Sequence, residues 1–329
     1  IDLRDNPGGL LSSSLDLLDL ILPKNLELVS TKGRAGKSIK NYKTLNNALI
    51  PDTINMAVLI NGASASASEI VAGVLQDYDR AIVLGSQSFG KGLVQTVIGI
   101  NQETALKITN SKYYIPSGRS LQKREFIDDE LIANSSAVAD TLFQTKAGRT
   151  VIGGGGIGPD VIVKDEGSYP LAASILRSRG YFKFVQENNN QYSSIDEVLA
   201  DEELMVKFKA FIEKNDISGY VDGQEDLKLA KEKLSKKEEK NLFINNAFSV
   251  IEKQIEKTQS TMFEDEKEII QRMVHGEFAF YYNGYEGRYN IYLKDDTVVQ
   301  KAIEIFADES QYLSILSNTE STEVASLNN

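Results

Sequence analysis

Cysteine is missing from all 329 residues and histidine occurs once, at His275. The first absence excludes thiol nucleophiles, disulfides and thiolate metal sites. The second removes the commonest general base from most of the chain, because His275 sits far along it in a charged, helix-patterned stretch. No run of about 18 apolar residues occurs, so the sequence offers no membrane-spanning helix. Basic residues are also in deficit. With 36 Lys and Arg against 47 Asp and Glu, the net charge is −11, which argues against nucleic-acid binding, since that needs a basic face to neutralise phosphates.

What is present suits a soluble globular protein of two domains: hydrophobic residues make up 41% and charged residues 25%. Ile1-Asp2-Leu3-Arg4 reads as the end of a buried strand. The expectation is therefore that a further segment, with any targeting signal, precedes it. Beyond it, Leu10 to Leu22 has helical spacing, and Leu26 to Thr31 with Ser38 to Lys43 reads as a strand pair. Met56 to Ile60 is a fully apolar run suited to a central strand, Ser66 to Asp77 a helix, and Ala81 to Gly85 the next strand. Leu93 to Ile100, Thr104 to Asn110 and Lys112 to Ile115 are further strand candidates. Strand–helix–strand order implies an α/β layer with right-handed crossovers. From about Tyr169 the chain turns helical and highly charged, which places a boundary near residue 166: a core at 1–165 and a helical domain at 166–329. The Tyr/Phe cluster from Phe278 to Tyr289 reads as helical core, with a homodimer contact as its alternative.

Three small-residue loops follow apolar strands. Asn61-Gly-Ala-Ser-Ala-Ser-Ala-Ser-Glu69 joins the central strand to a helix, so its side chains fall at the carboxyl edge of the sheet, where α/β proteins bind ligands. A serine there can attack a carbonyl while backbone N–H groups at the helix start hold the developing oxyanion. Any of Ser64, Ser66 or Ser68 could instead be a helix cap, and Ser66-x-x-Glu69 fits a capping box. Ser88-Phe-Gly-Lys91-Gly-Leu-Val-Gln95 offers a lysine between two glycines. Such a residue can approach other backbone closely and, if desolvated, act as a neutral base for a serine hydroxyl; alone, it reads as an ordinary loop lysine. Asp5-Asn-Pro-Gly8-Gly9 can turn amides into a pocket, or be a plain turn. Together the loops supply nucleophile, base and oxyanion donors without histidine. Rival patterns fail. Gly33 to Ser38 lacks the first glycine of a phosphate loop, Thr31 standing there, and Ser120-Leu-Gln-Lys123 lacks the partner motifs of β-lactamase-like enzymes. No metal or cofactor is called for.

Leu3-Arg-Asp-Asn-Pro-Gly-Gly9, Ser64-Ala-Ser-Ala-Ser-Glu-Ile70, Phe89-Gly-Lys-Gly-Leu-Val-Gln95, Lys112 to Gln122 and Gly155 to Val161 resemble, in order, the signatures of the carboxy-terminal processing peptidases, or tail-specific proteases. The resemblance covers residues 1 to 165. It implies a core of crotonase and Clp-protease architecture with a mixed sheet, followed by a mainly α-helical C-terminal domain like that of Bacteroidetes-type members. It implies that Ser66 is the nucleophile, Lys91 the base and Gln95 the residue orienting it. Gly8 or Gly9 with the Ala67 amide would form the oxyanion hole, and Glu69 and Asp77 would be supporting acids. It further implies unfolded or C-terminally exposed polypeptide substrates, a cell-envelope or periplasmic location and a PDZ domain ahead of the core. The rival readings are a crotonase-like acyl-CoA enzyme and an inactive peptide-binding scaffold.

Overall fold

Short apolar runs form the strands and longer periodic stretches the helices. A computed structural model describes residues 1–33, 38–123, 125–127, 130–132, 141–164, 167, 169–235 and 242–317. In chain order they form α1 (Leu11–Ile21), β1 (Glu27–Gly33), β2 (Ser38–Lys43), β3 (Ala57–Ile60), α2 (Ala67–Asp77), β4 (Ile82–Gly85), β5 (Leu93–Gly99) and β6 (Ala105–Tyr114). Then come β7 (Glu125–Ile127), β8 (Glu130–Ile132), β9 (Thr141–Gln144), β10 (Thr150–Gly153) and β11 (Val161–Ile162). Helices α3 (Pro170–Arg177), α4 (Gly180–Asn188), α5 (Ile195–Leu199), α6 (Leu204–Lys214), α7 (Gln224–Ser235), α8 (Leu242–Asp265) and α9 (Lys267–Lys294) follow, and α10 (Thr297–Ala307) and α11 (Glu309–Ser317) end the described chain. The architecture is mixed α/β followed by a mainly helical region.

Two compact units result, one from Ile1–Asp165 with Thr297–Asn329 and the other from Glu166–Asp296. In the first, β3 and β4 pair in parallel from Ala57 opposite Ile82 to Ile60 opposite Gly85, with β11 on the far side of β4. Every residue of β3 and β4 is buried, as a parallel sheet covered on both faces requires. Val58, Ile60 and Val83 face Leu18, Ile70 and Val74 of α1 and α2. The alternate residues Ala57, Leu59, Ile82 and Leu84 face Val298, Ala302, Ile305 and Tyr312 of α10 and α11.

That second cover corrects the domain reading. Residues 166–329 were assigned to a single helical domain, but α10 and α11 pack in the first unit because their apolar stripe finishes its sheet. Two strand expectations also change. Ile1 to Leu3 forms one parallel bridge, Asp2 to Leu59, rather than a strand, since the chain turns at Arg4 and Asp5. Thr104 to Asn110 and Lys112 to Ile115 merge into β6, where buried Ser111 pairs with Val94 and Gly33. Strands β2, β1, β6 and β5 form a separate antiparallel sheet in that order.

The second unit is built on aromatic packing, with Phe184 edge-on to Phe208 at 4.9 Å and to Phe278 at 6.1 Å between ring centres. The buried Glu266 carboxylate accepts from the N–H groups of Leu171 and Ala172, capping α3 where Pro170 opens it. Helix α9 folds back at Gly284, whose φ of 65° and ψ of −154° leave the helical region, so Tyr292 covers Gly276. The Tyr/Phe cluster is consequently split: Phe278 is core, while Tyr281, Tyr285 and Tyr289 are exposed. His275 is partly buried, and desolvation holds its pKa below the usual imidazole value.

One bond tests the two-sided cover. The buried Tyr312 hydroxyl accepts from the Met56 N–H at 2.9 Å and lies 3.1 Å from the Met56 carbonyl, to which it donates. Tyr312→Phe leaves the buried Met56 N–H unpaired, the Met56 carbonyl still accepting from the Ile82 N–H, and should cost about 1–3 kcal/mol in urea unfolding. A loss under about 0.5 kcal/mol would show that this bond does not hold α11 on the sheet.

Candidate active site

The three small-residue loops leave neighbouring chain segments at one edge of the parallel sheet and are stitched together there. Leu3 exchanges backbone bonds with β3, its N–H donating to the Leu59 carbonyl at 2.9 Å. Asn61, the residue after β3, accepts from the Asp5 N–H at 3.0 Å and donates its amide to the Asp5 carboxylate at 3.0 Å. The fully buried Ser64 donates its hydroxyl to the Leu3 carbonyl at 2.7 Å and accepts from the Asn61 N–H at 2.9 Å. Its own carbonyl accepts from the Phe89 N–H at 3.0 Å. Ser64 is therefore a fastener between all three loops.

Ser66 occupies the N-cap of α2 with φ 58° and ψ −115°. For a residue with a side chain this is a strained conformation, worth on the order of 1–3 kcal/mol, which persists only where the surroundings over-determine it. Glu69 supplies that determination. Its carboxylate is fully buried. One oxygen accepts the Ser66 N–H and the Lys91 N–H, both at 2.8 Å. The other accepts the Ser88 hydroxyl at 2.6 Å and the Gly90 N–H at 2.7 Å. Hydrogen bonds to a charged group contribute about 1.5–3 kcal/mol each, so four of them outweigh the strain at Ser66. The capping-box reading was right about the Ser66–Glu69 pairing, yet the same carboxylate also holds the Lys91 loop.

Around this anion the other expected residues fall into place unequally. Gly8, at φ +89°, is pressed against the serine loop. A Cβ there would sit 2.7 Å from the Ala67 nitrogen and overlap the Ala65 carbonyl, so no other residue fits. The Gly8 N–H donates to the Asn6 side chain at 3.0 Å, whereas Gly9 has open space beside it. Ala67 is the first residue of α2, where backbone N–H groups lack partners within the helix. Lys91 has an exposed side chain, in contrast to the desolvated lysine that a neutral base requires. Gln95 lies on β5 and donates to the Thr109 hydroxyl at 3.5 Å.

Asp77 stands apart, because it ends α2 while Ser66 begins it. An 11-residue helix separates the two by about 16 Å. Asp77 is buried against Arg119 at 2.9 Å and accepts the Ser117 N–H at 2.9 Å. Desolvation raises its pKa and Arg119 offsets part of that rise. Its setting is that of a structural ion pair.

Ser88 and Asn61 were not singled out by sequence reasoning. Ser88 donates its hydroxyl to Glu69 and accepts the Ile157 N–H at 2.6 Å, joining the Gly155 to Val161 motif to the site. The only signal for it was its place within the Lys91 loop. Among the described residues, no group of three or more His, Asp or Glu side chains could hold a metal ion.

Glu69→Gln puts an amide NH2 where two N–H donors already converge. It should destabilise the first unit by about 2–3 kcal/mol in denaturant unfolding. Glu69→Asp, which keeps the charge but shortens the reach, should cost less. Equal stability of Glu69→Gln and the parent protein would show that the charge does not organise these loops.

Residues 1–132 match the profile of peptidase family S41, and residues 171–306 match that of a probable PDZ-protease C-terminal helical domain. A carboxy-terminal-processing protease of Bartonella bacilliformis is 50% identical over 122 residues, which is 37% of this chain and 28% of that protein. A carboxyl-terminal-processing protease of Synechocystis is 38% identical over 132 residues, covering 40% of this chain and 30% of that one. The chloroplastic carboxyl-terminal-processing peptidase 3 of Arabidopsis thaliana is 43% identical over 117 residues, 36% of this chain and 22% of the relative. The matched stretch thus spans less than a third of each relative's length. It contains all three loops of the site. Residues 1–132 are thus similar to peptidase family S41 and to the carboxy-terminal-processing proteases among these relatives.

Proposed function

We propose that the protein is a serine endopeptidase that cuts polypeptides near their carboxy-terminal ends through Ser66 and Lys91. The observation that carries this reading is the single Glu69 oxygen shared, at 2.8 Å each, by the backbone N–H groups of Ser66 and Lys91. The match of residues 1–132 to the family S41 profile and the names of the relatives support the reaction class.

In the proposed reaction, neutral Lys91 takes the Ser66 proton as Oγ bonds to the substrate carbonyl carbon. The oxyanion is held by the Ala67 N–H and by the Gly9 N–H, since the Gly8 N–H is already given to Asn6. Protonated Lys91 then donates to the leaving nitrogen as the C–N bond breaks. Water hydrolyses the acyl-enzyme with Lys91 again as base, returning a proton to Oγ. The exposure of Lys91 assigns a part to the substrate, which would cover this side chain and exclude water from the site. Gln95 is proposed to steady Lys91 once that cover is in place. Glu69 acts through backbone and is a positioning residue. The proposed substrates are unstructured or C-terminally exposed polypeptides, and the proposed location is the cell envelope, where a cysteine-free chain has no thiol to oxidise. Among the described residues, no helix is long and apolar enough to cross a membrane.

Ser66→Ala and Lys91→Ala should each lower kcat/KM on an unstructured protein by at least about 10³-fold while leaving the fold intact. Lys91→Arg should be equally inactive, because a guanidinium cannot become a base near neutral pH. Full activity in either alanine variant would sink the dyad.

A further inference from the structure

Ser120-Leu-Gln-Lys123 lacks the partner motifs of a serine–x–x–lysine enzyme, yet it runs as a strip between two loops of the site. On one side the Ser120 and Leu121 carbonyls accept from the N–H groups of Gly154 and Gly156, at 3.0 and 3.2 Å. On the other side Gln122 and Lys123 meet the Lys91 loop. The Lys123 N–H donates to the Gly90 carbonyl at 3.0 Å, and the Gln122 side-chain oxygen accepts from the Gly92 N–H at 2.9 Å. The fit is close. A Cβ on Gly92 would lie 2.5 Å from the Gln122 nitrogen, and one on Gly90 would lie 2.5 Å from the Lys123 Cβ. The two glycines beside Lys91 therefore make room for this strip.

The direction of the Lys91 Cα–Cβ bond is set by the two peptide planes that flank its Cα, because each plane is rigid. The plane between Gly90 and Lys91 is gripped at both ends. Its N–H donates to Glu69 at 2.8 Å and its carbonyl accepts from Lys123. The plane between Lys91 and Gly92 is held through its N–H by Gln122. Gly92 is buried and Gln122 half-buried, so water is a poor substitute for that oxygen. One residue further on, the Gly92 carbonyl accepts from the Tyr113 N–H at 2.8 Å and the chain enters the antiparallel sheet. Glu69 thus fixes one plane beside Lys91 and Gln122 the other. Gln95 bonds Thr109 on the neighbouring strand, so the glutamine bonded to the Lys91 loop is Gln122.

We infer that Gln122 is a positioning residue for Lys91: its carboxamide oxygen holds the Lys91–Gly92 peptide and so sets the direction in which the lysine side chain leaves the backbone. The inference rests on the reading of Lys91 as the base. It gives that base a second anchor, drawn from a different segment than Glu69. A misplacement of about 1 Å in a reacting group can cost about 10²-fold in rate, which sets the scale of the expected effect.

The test pairs Gln122→Met, which keeps bulk and loses the acceptor, with Gln122→Glu, which keeps an oxygen at the same reach. Gln122→Met should lower kcat on an unstructured polypeptide by about 10²-fold with KM within about twofold. Gln122→Glu should recover kcat to within about tenfold of the parent protein. In the Lys91→Ala background, Gln122→Met should lower the residual rate no further, since a residue that acts through Lys91 then has nothing to aim. Exchange of the Gly92 amide should quicken by about fivefold or more in Gln122→Met and stay at the parent rate in Gln122→Glu. If the Met variant does not fold, Gln122→Asn, whose amide falls one methylene short of Gly92, takes its place in each arm. Unchanged kcat, a loss confined to KM, or an equal loss with and without Lys91 would overturn the proposal, the last leaving Gln122 as packing alone. Full activity of Lys91→Ala would remove the dyad instead. Faster Gly92 exchange in Gln122→Met would then still support the hold on that peptide, and exchange at the parent rate would overturn it.

Discussion

A single buried anion organises the site. The Glu69 carboxylate has no contact with solvent and four donors around its two oxygens, drawn from Ser66, Ser88, Gly90 and Lys91. An ionised carboxylate without partners would be strongly disfavoured in such surroundings, and would release the loops or take up a proton. With all four donors in place, charge and backbone hold one another, and the serine loop and lysine loop have one common anchor. What is fixed is backbone; the Ser66 hydroxyl and Lys91 ammonium remain at its periphery. This arrangement sets the backbone geometry before a substrate arrives and leaves the Lys91 side chain open to whatever covers it.

The opposite end of α2 is clamped by different means. Arg119 bridges Asp77 and Gln76, and Arg149 reaches Asp79 at 2.6 Å and Asp160 at 2.5 Å. Desolvation pushes Asp77 and Asp160 upward in pKa, and the arginines oppose it. Breaking one partner of such a pair is costly because it strands the other in a poorly solvated place. Helix α2 is thus held at its N-terminus by a carboxylate on backbone amides and at its C-terminus by carboxylates on guanidinium groups. The two acids that the motif resemblance grouped together, Glu69 and Asp77, belong to separate machinery.

The site's loops were legible because their chemistry is local. Small residues after fully apolar strands can only lie at a sheet edge, and Ser66-x-x-Glu69 announces its own hydrogen bond. The second role of Glu69 was not legible, since its bonds to Ser88, Gly90 and Lys91 span up to 22 positions and carry no periodic signal. The exposure of Lys91 was equally hidden, because glycine neighbours permit close approach without requiring it. The helical, charged character read from Tyr169 onward could not say whose core α10 completes; its stripe of Val298, Ala302 and Ile305 matches the alternate face of β3 and β4 only after the chain has folded. The merged β6 hid behind a polar Thr-Asn-Ser that reads as a break until its partners on both sides are known.

The bond between Met56 and Tyr312 joins residues 256 positions apart. Closing a loop of that length costs roughly 5 kcal/mol of chain entropy, and that cost falls before the contacts on the far side of the sheet can repay it. During synthesis the strand that leads to Ser66 is made before the helices that cover its outer face emerge, Tyr312 following Met56 by 256 positions. Until they do, Ala57, Leu59, Ile82 and Leu84 lack their apolar partners and the sheet has one dry face instead of two. The order of the sequence thereby sets a clock: the sheet that carries Ser66 gains its second dry face only after the whole helical unit between its two parts has been made.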